Sequence, residues 1–121
     1  MKKKLTFCFD LDNTICTTKK KNYVSAKPKQ KILLIINKLH DQGHYIKIFT
    51  ARYMGRNKES ISKVYKKHYK TTYLQLKKWN LKFDKLIMGK PSYDFFYDDK
   101  NIELKKNWHL KLLKYLPRKS I

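Results

Sequence analysis

The chain has 121 residues, a length that suits one compact domain. Lysine and arginine total 30 against 9 aspartates and glutamates, which gives a formal net charge of +21, and hydrophobic residues at 41% exclude a disordered basic tail. The longest aliphatic run, at 32–36, is too short to cross a membrane. We therefore expect a single domain over residues 1–121 with no membrane partner.

The two cysteines, Cys8 and Cys16, have neither the spacing of a CxxC pair nor that of metal ligands. Such usage suits a reducing compartment, where structural disulfides are rare. The lysines at 2–4 and the apolar residues after them resemble a signal peptide, but Asp10 ends the apolar stretch too early. We expect a cytoplasmic protein.

The positive charge raises the question of a nucleic-acid partner, because a basic chain is typical of nucleic-acid-binding proteins. The excess is nearly all lysine, however, and the only arginines are Arg52, Arg56 and Arg118. Specific readers of nucleic acid rely on arginine for bidentate contacts. We therefore favour a solvated basic surface, and nucleic acid remains an alternative partner.

The apolar pattern predicts strands and helices in alternation. Residues 5–9 read as a buried strand ending at Asp10, residues 16–27 as a loop or small hairpin, and Pro28 opens a helix that runs to about Gln42. Further along, the pattern predicts a strand at 44–49, a helix at 58–79, a strand at 83–88, a strand at 94–97 and an amphipathic helix at 103–116. This order predicts an α/β fold, a three-layer sandwich with a mostly parallel, Rossmann-like sheet.

Four of the nine carboxylates form two pairs, Asp10 with Asp12 and Asp98 with Asp99. Each pair follows the end of a predicted strand, the edge at which open α/β sheets bind ligands. Carboxylate pairs in a lysine-rich chain indicate a bound cation, and Mg²⁺ prefers such hard oxygen ligands. Thr50 and Lys90 lie after neighbouring strands and supply a hydroxyl and an ammonium for phosphate. Each residue singly also fits a cap or surface role, but together they predict a phosphoryl-transfer site.

These motifs resemble the haloacid dehalogenase superfamily of aspartate-nucleophile phosphatases. Residues 9–14, Phe-Asp-Leu-Asp-Asn-Thr, match its first motif, Thr50 its second, Lys90 its third and the pair Asp98-Asp99 its fourth. The four matches occur in order from Asp10 to Asp99. Neither interval between the first three motifs has room for an inserted cap domain, so the resemblance implies a capless member with an open site.

The resemblance implies a role for each matched residue. Asp10 would attack phosphorus, and Asp12 would act as general acid and then general base. Phosphate oxygens would be bound by Thr50, Thr14 and the N–H groups near Leu11 and Ala51, with Lys90 balancing their charge. Mg²⁺ would be bound by the Asp10 carboxylate, the Asp12 carbonyl and Asp98, with Asp99 bound directly or through water.

A narrower resemblance is to small capless bacterial phosphatases of capsule or surface-polysaccharide biosynthesis, which implies a small phosphorylated sugar or polyol as substrate. Arg52 and Arg56 beside Thr50 are candidates for gripping that substrate, or else part of an ordinary loop. A homo-oligomer that closes the site is compatible with this class. The rivals are a polynucleotide end phosphatase, a phosphotransferase, and a nucleic-acid-binding module without catalysis.

Overall fold

The computed structural model describes residues 3–118, and a sheet of three parallel strands lies at its centre. In chain order the regular elements of this range are β1 (Thr6–Asp10), β2 (Cys16–Thr17), β3 (Lys27–Pro28), α1 (Gln30–Asp41), β4 (Tyr45–Thr50), α2 (Ile61–Lys78), β5 (Lys85–Met88) and a 3-10 helix (Trp108–Tyr115). The central sheet has the order β1-β4-β5, and β2 pairs with β3 as the predicted small hairpin. The predicted α/β class with a parallel sheet is confirmed.

Helix α1 forms because apolar side chains recur every three or four residues along it. Ile32, Ile36 and Leu39 are buried on its inner face. The helix ends before Gly43, whose φ of +90° is a conformation that glycine adopts readily. The Gly43 N–H donates to the carbonyl of His40, which satisfies one of the last carbonyls of the helix.

Helix α2 begins three residues later than the predicted start at Lys58. Lys58 and Glu59 have φ values of +51° and +61°, which no right-handed helix can contain. Ser60 then caps the helix, because its hydroxyl accepts a hydrogen bond from the N–H of Lys63. The left-handed residues turn the loop after β4 before α2 starts, so this loop stays next to the strand ends.

One face of the sheet carries the core. Phe9, Ile48 and Leu86 are neighbours in the strand register, all are buried, and they belong to one cluster with the buried residues of both long helices. On the opposite face Cys8 is exposed and Lys47 is partly exposed. Within residues 3–118 the helices therefore cover one face of the sheet, and the predicted three-layer sandwich is not formed, because the other face stays uncovered.

The predicted fourth strand, at 94–97, is not formed. Phe95 and Tyr97 are 79% and 91% exposed, and no described strand pairs with this segment. A short aromatic segment becomes a strand only where a sheet edge pairs with it, so propensity alone does not suffice. Two residues before this segment, the backbone N–H and hydroxyl of Ser92 both donate to the Glu59 carboxylate.

The last predicted helix, at 103–116, is shorter than expected and of another type. It begins at Trp108 and is a 3-10 helix. Asn107 has a φ of +60°, and this left-handed residue prevents the helix from extending further back. Trp108 still packs against Phe9, with ring centroids 6.4 Å apart. None of the helices in the described range is long and apolar enough to span a membrane.

Candidate active site

Asp10 is the last residue of β1, and the chain turns sharply directly after it. The Leu11 carbonyl accepts hydrogen bonds from the N–H groups of Thr14 and Ile15, and Asn13 has a φ of +62°. This turn returns the Thr14 side chain to the strand end. Its hydroxyl donates to Oδ2 of Asp10 over 3.0 Å. Thr14 thus orients the Asp10 carboxylate in this structure.

Lys90 reaches the same carboxylate from the other side of the sheet edge. Its Nζ lies 3.1 Å from Oδ1 of Asp10, and its side chain is only 12% exposed. Burial lowers the pKa of Lys90, but hydrogen bonds to Tyr93 and Asp10, and the charge of Asp10, outweigh burial and leave the pKa raised. Lys90 is therefore a permanent ammonium beside Asp10 at neutral pH.

The parallel register explains why residues so distant in sequence meet. Asp10 pairs with Phe49, and Thr50 pairs with Met88, so the carboxyl ends of the three strands lie at one edge. The Lys90 N–H donates to the Thr50 carbonyl over 3.1 Å, which holds the loop after β5 against the end of β4. The predicted convergence of Asp10, Thr50 and Lys90 is thus observed.

Asp12 is held by a nearly buried arginine. Nε of Arg52 lies 2.9 Å from Oδ2 and 3.1 Å from Oδ1 of Asp12, and Nη2 lies 3.0 Å from Oδ1. The Thr18 hydroxyl donates to the same Oδ1 over 2.5 Å. Nη1 of Arg52 donates to the side-chain oxygen of Gln75. This network fixes the rotamer of Asp12 from several directions.

Arg52 therefore differs from the role predicted for it. It borders the cavity, but Nε, Nη1 and Nη2 are all engaged by protein groups, and the residue is only 2% exposed. These contacts position the Asp12 side chain, so Arg52 is not a free substrate-binding group. Thr50 is also buried, and its hydroxyl oxygen accepts from the N–H of Arg52. Ala51 lines the cavity between them.

Asp98 and Asp99 are not brought to the other carboxylates. Both are exposed, and neither borders the cavity that contains Asp10 and Asp12. The N–H of Lys100 donates to Oδ1 of Asp98, and this hydrogen bond lowers the pKa of Asp98. Across residues 3–118, no three or more His, Cys, Asp or Glu side chains are grouped so as to hold a metal ion.

The strand-end residues border an open cavity of about 470 Å³. Its charged lining consists of five cations and two carboxylates: Lys20, Lys21, Arg52, Arg56 and Lys90, with Asp10 and Asp12. The guanidinium of Arg56 lies over the ring of Tyr53, 5.0 Å from its centroid, and over Tyr23 at 5.6 Å. The excess of cations suits an anionic ligand.

Thr18, Gln75, Lys20 and Lys21 were not among the residues predicted for the site. Thr18 and Gln75 act through Asp12 and Arg52, and no spacing in the sequence marks such a network. The two lysines are hidden in sequence by the abundance of lysine elsewhere. Their position nevertheless indicated a role in the site, because they follow the first motif closely, in the segment predicted as a loop or small hairpin.

Comparison with known proteins bears on the fold. No family model and no curated protein matches the chain. A crystal structure of a structural-genomics target from Vibrio cholerae is similar over 90% of this chain and 96% of its own chain, with 22% identity and a TM-score of 0.74. At this identity the likeness shows a common fold. The chain therefore shares its small α/β fold with that bacterial protein.

Proposed function

We propose that the chain is a Mg²⁺-dependent phosphomonoesterase of the haloacid dehalogenase type, in which Asp10 is transiently phosphorylated. The observation that carries the proposal is the position of the Asp10 carboxylate. It is held between the Lys90 ammonium and the Thr14 hydroxyl at the carboxyl end of β1, and it faces a cavity with excess positive charge. Lysine and hydroxyl groups around an aspartate suit the charge of a phosphoryl group.

The reaction would proceed in two displacements at phosphorus. An oxygen of Asp10 forms a bond to phosphorus as the bond to the alkoxide breaks, and Asp12 gives the alkoxide its proton. Asp12 then takes a proton from a water that attacks phosphorus, which releases phosphate and restores Asp10. Arg52 and Thr18 hold the Asp12 side chain in position two residues from the nucleophile.

The Asp10 carboxylate is an oxygen donor of the kind that Mg²⁺ prefers. The ion commonly takes one or two carboxylates, with waters and a substrate phosphate completing its shell. The Asp10 carboxylate and the Asp12 carbonyl would hold it, and Asp98 or Asp99 would join only in another arrangement of the segment that carries them. When bound, the ion would neutralise charge on the phosphoryl oxygens.

The fold and cavity support the narrower parts of this proposal. Three parallel strands in the order β1-β4-β5, without an inserted cap between them, suit a Rossmann-like capless hydrolase. A cavity of about 470 Å³ is within the range of small-molecule sites. We therefore propose a small phosphorylated sugar or polyol as substrate, in the polysaccharide biosynthesis that the motifs suggest. A cytoplasmic location belongs to the same proposal.

Phosphate release tests the proposal directly. Sugar, polyol and nucleotide monophosphates and 3′- and 5′-phosphorylated oligonucleotides are assayed with Mg²⁺ and with EDTA. We expect metal-dependent release that is abolished by Asp10→Asn and kept by Asp94→Asn, which removes an exposed carboxylate outside the cavity. Equal turnover by the Asp10→Asn protein would exclude the covalent mechanism.

The same panel separates the rival functions. Release from oligonucleotides alone, lost steeply as salt is raised, would indicate a polynucleotide end phosphatase. Transfer of phosphate to an added alcohol would indicate a phosphotransferase. Nucleic-acid binding that survives Asp10→Asn, with no release from any compound, would indicate a binding module.

A further inference from the structure

We propose that the cavity contains a second anion-binding subsite, formed by Lys20, Lys21 and Arg56, and that the substrate carries a second anionic group beside the phosphate that is removed. The inference rests on the proposed function, because it assigns the reacting phosphate to Asp10 and Lys90. It restricts the proposed substrate to a small phosphomonoester that also carries a carboxylate or a second phosphate, several ångströms from the phosphate that is removed.

The cations of the cavity divide into two groups by their partners. Arg52 and Lys90 are ion-paired with the two carboxylates of the lining. The other three cations, Lys20, Lys21 and Arg56, form no ion pair with any carboxylate in the part of the chain that the structure describes. An anion in the cavity therefore meets three cations that have no carboxylate partner, whereas Arg52 and Lys90 each have one.

Lys21 and Arg56 are held close to each other. Nη2 of Arg56 donates to the Lys21 carbonyl over 3.1 Å, and the guanidinium is clamped over the rings of Tyr23 and Tyr53. Nζ of Lys21 lies 3.5 Å from where a Cβ on Gly55 would stand, so the ammonium rests against the residue before Arg56. Both cations line the same cavity, so an anion there is attracted to both charges.

The backbone presents the lysines in a tight turn. Lys20 and Lys21 have φ values of +47° and +59°, two consecutive left-handed residues as in the type I′ turns of hairpins. The turn is closed by a hydrogen bond from the Asn22 N–H to the Lys19 carbonyl. Both lysines line the cavity as a result.

The chemistry of the subsite defines a substrate class with two sources. A phosphorylated sugar acid would place its carboxylate at Lys20, Lys21 and Arg56 while its phosphate lies at Asp10. A phosphorylated oligonucleotide end would place its next phosphodiester there. The cavity of about 470 Å³ suits the smaller molecule, so the proposed ligand is the sugar acid. The oligonucleotide is tested as the alternative ligand.

A matched pair of linear six-carbon compounds tests the subsite. The two compounds, 6-phosphogluconate and sorbitol 6-phosphate, differ at the far end by a carboxylate against a hydroxymethyl group. Calorimetric affinity and kcat/KM are measured for both, and we expect a preference for the acid of about tenfold, the size of one charge-assisted contact. A 3′-phosphorylated dinucleotide compared with the 3′-mononucleotide forms the second arm.

Matched variants connect the preference to the residues. The double variant Lys20→Gln/Lys21→Gln should reduce the preference for the acid to near unity, and Arg56→Gln should reduce it in part. Lys66→Gln/Lys70→Gln removes the same charge from exposed positions of α2 and should keep the preference. Loss of preference in this control as well would attribute it to net charge and overturn the subsite.

The outcomes separate this inference from the proposed function. Turnover of both six-carbon compounds at equal rate and affinity, with no preference for the dinucleotide, would overturn the subsite and leave the phosphatase standing. Absence of turnover with a tenfold affinity preference that the double variant removes would support the subsite and overturn the phosphatase. A preference in the dinucleotide arm alone would support the subsite with the phosphodiester as its ligand.

Discussion

Arg52 and Asp12 form an ion pair in which the arginine side chain is only 1% exposed and the aspartate side chain is 19% exposed. Two nitrogens of the guanidinium contact the carboxylate, which is a bidentate geometry that lysine cannot reproduce. The pair joins the loop after β1 to the loop after β4. It thereby connects the proposed general acid to the second strand end of the site.

Removal of Arg52 should cost both stability and rate. Arg52→Gln leaves the Asp12 carboxylate without its main partner, and we expect a loss of about 3 kcal/mol in unfolding free energy, measured by urea denaturation. Arg52→Lys keeps the charge but should still lower kcat, because the bidentate guanidinium contact that orients Asp12 is lost. The matched control is Lys82→Gln, which breaks an exposed pair with Asp41 and should change stability by less than about 1 kcal/mol. Equal effects at both positions would contradict a supporting role for Arg52.

Lys90 should contribute to the rate far more than to the fold. Lys90→Met removes the ammonium beside Asp10, and we expect kcat to fall by about 100-fold, the usual cost of losing one preorganised charge in an active site. Because the pKa of Lys90 is raised, its charge persists as pH increases through the ordinary lysine range. The wild-type rate should therefore show no loss from Lys90 deprotonation below about pH 10.5. Lys100→Met, at an exposed position, is the control, and an unchanged kcat in Lys90→Met would remove Lys90 from the site.

The convergence of Asp10, Thr50 and Lys90 could be predicted because it depends on simple features of the sequence. β1 and β4 are short apolar runs with polar residues directly after them, and parallel strands place their carboxyl ends at one edge. The alternation of strands and helices likewise predicted a parallel sheet. These features are local, and local patterns can be read from one sequence.

The features that could not be predicted depend on contacts between residues that are distant in sequence. Nothing in the spacing of Asp12 and Arg52, 40 residues apart, indicates that they pair. The aromatic segment at 94–97 has strong strand propensity, but its pairing partner decides the outcome, and the prediction there was wrong. The predicted helix at 103–116 failed for a different reason, because the left-handed backbone of Asn107 interrupts it.

The two thiols should differ sharply in reactivity. Cys8 is exposed on the uncovered face of the sheet, whereas Cys16 is fully buried beneath the turn after β1. Burial raises the pKa of both thiols, so the difference in reactivity depends on access to the sulfur. Iodoacetamide should therefore modify one thiol per native chain, and mass spectrometry should locate it at Cys8. Rapid modification of Cys16 in the folded protein would show that the turn opens readily.

Thr72 offers a stabilising substitution that leaves the site untouched. Its hydroxyl is buried in α2 and has no hydrogen-bond partner among residues 3–118. Thr72→Val replaces that hydroxyl by a methyl group of similar size, and we expect a gain of about 1 kcal/mol in unfolding free energy. Thr71→Val, at the exposed neighbouring position, should give no such gain. A destabilised Thr72→Val protein would mean that the hydroxyl has a partner in solution.

The segment that carries Asp98 should respond to Mg²⁺ if that carboxylate completes the metal site. Its aromatic residues Phe95 and Tyr97 are exposed, so chymotrypsin should cleave there in the absence of metal. We expect Mg²⁺ to slow this cleavage in the wild type and in Asp94→Asn, and to have no effect in Asp98→Asn. The Mg²⁺ concentration for half-maximal phosphate release should rise at least about tenfold in Asp98→Asn, since Mg²⁺ in proteins is held by few carboxylates. Identical cleavage and identical Mg²⁺ dependence in all three proteins would restrict the metal ligands to the Asp10 carboxylate and the Asp12 carbonyl.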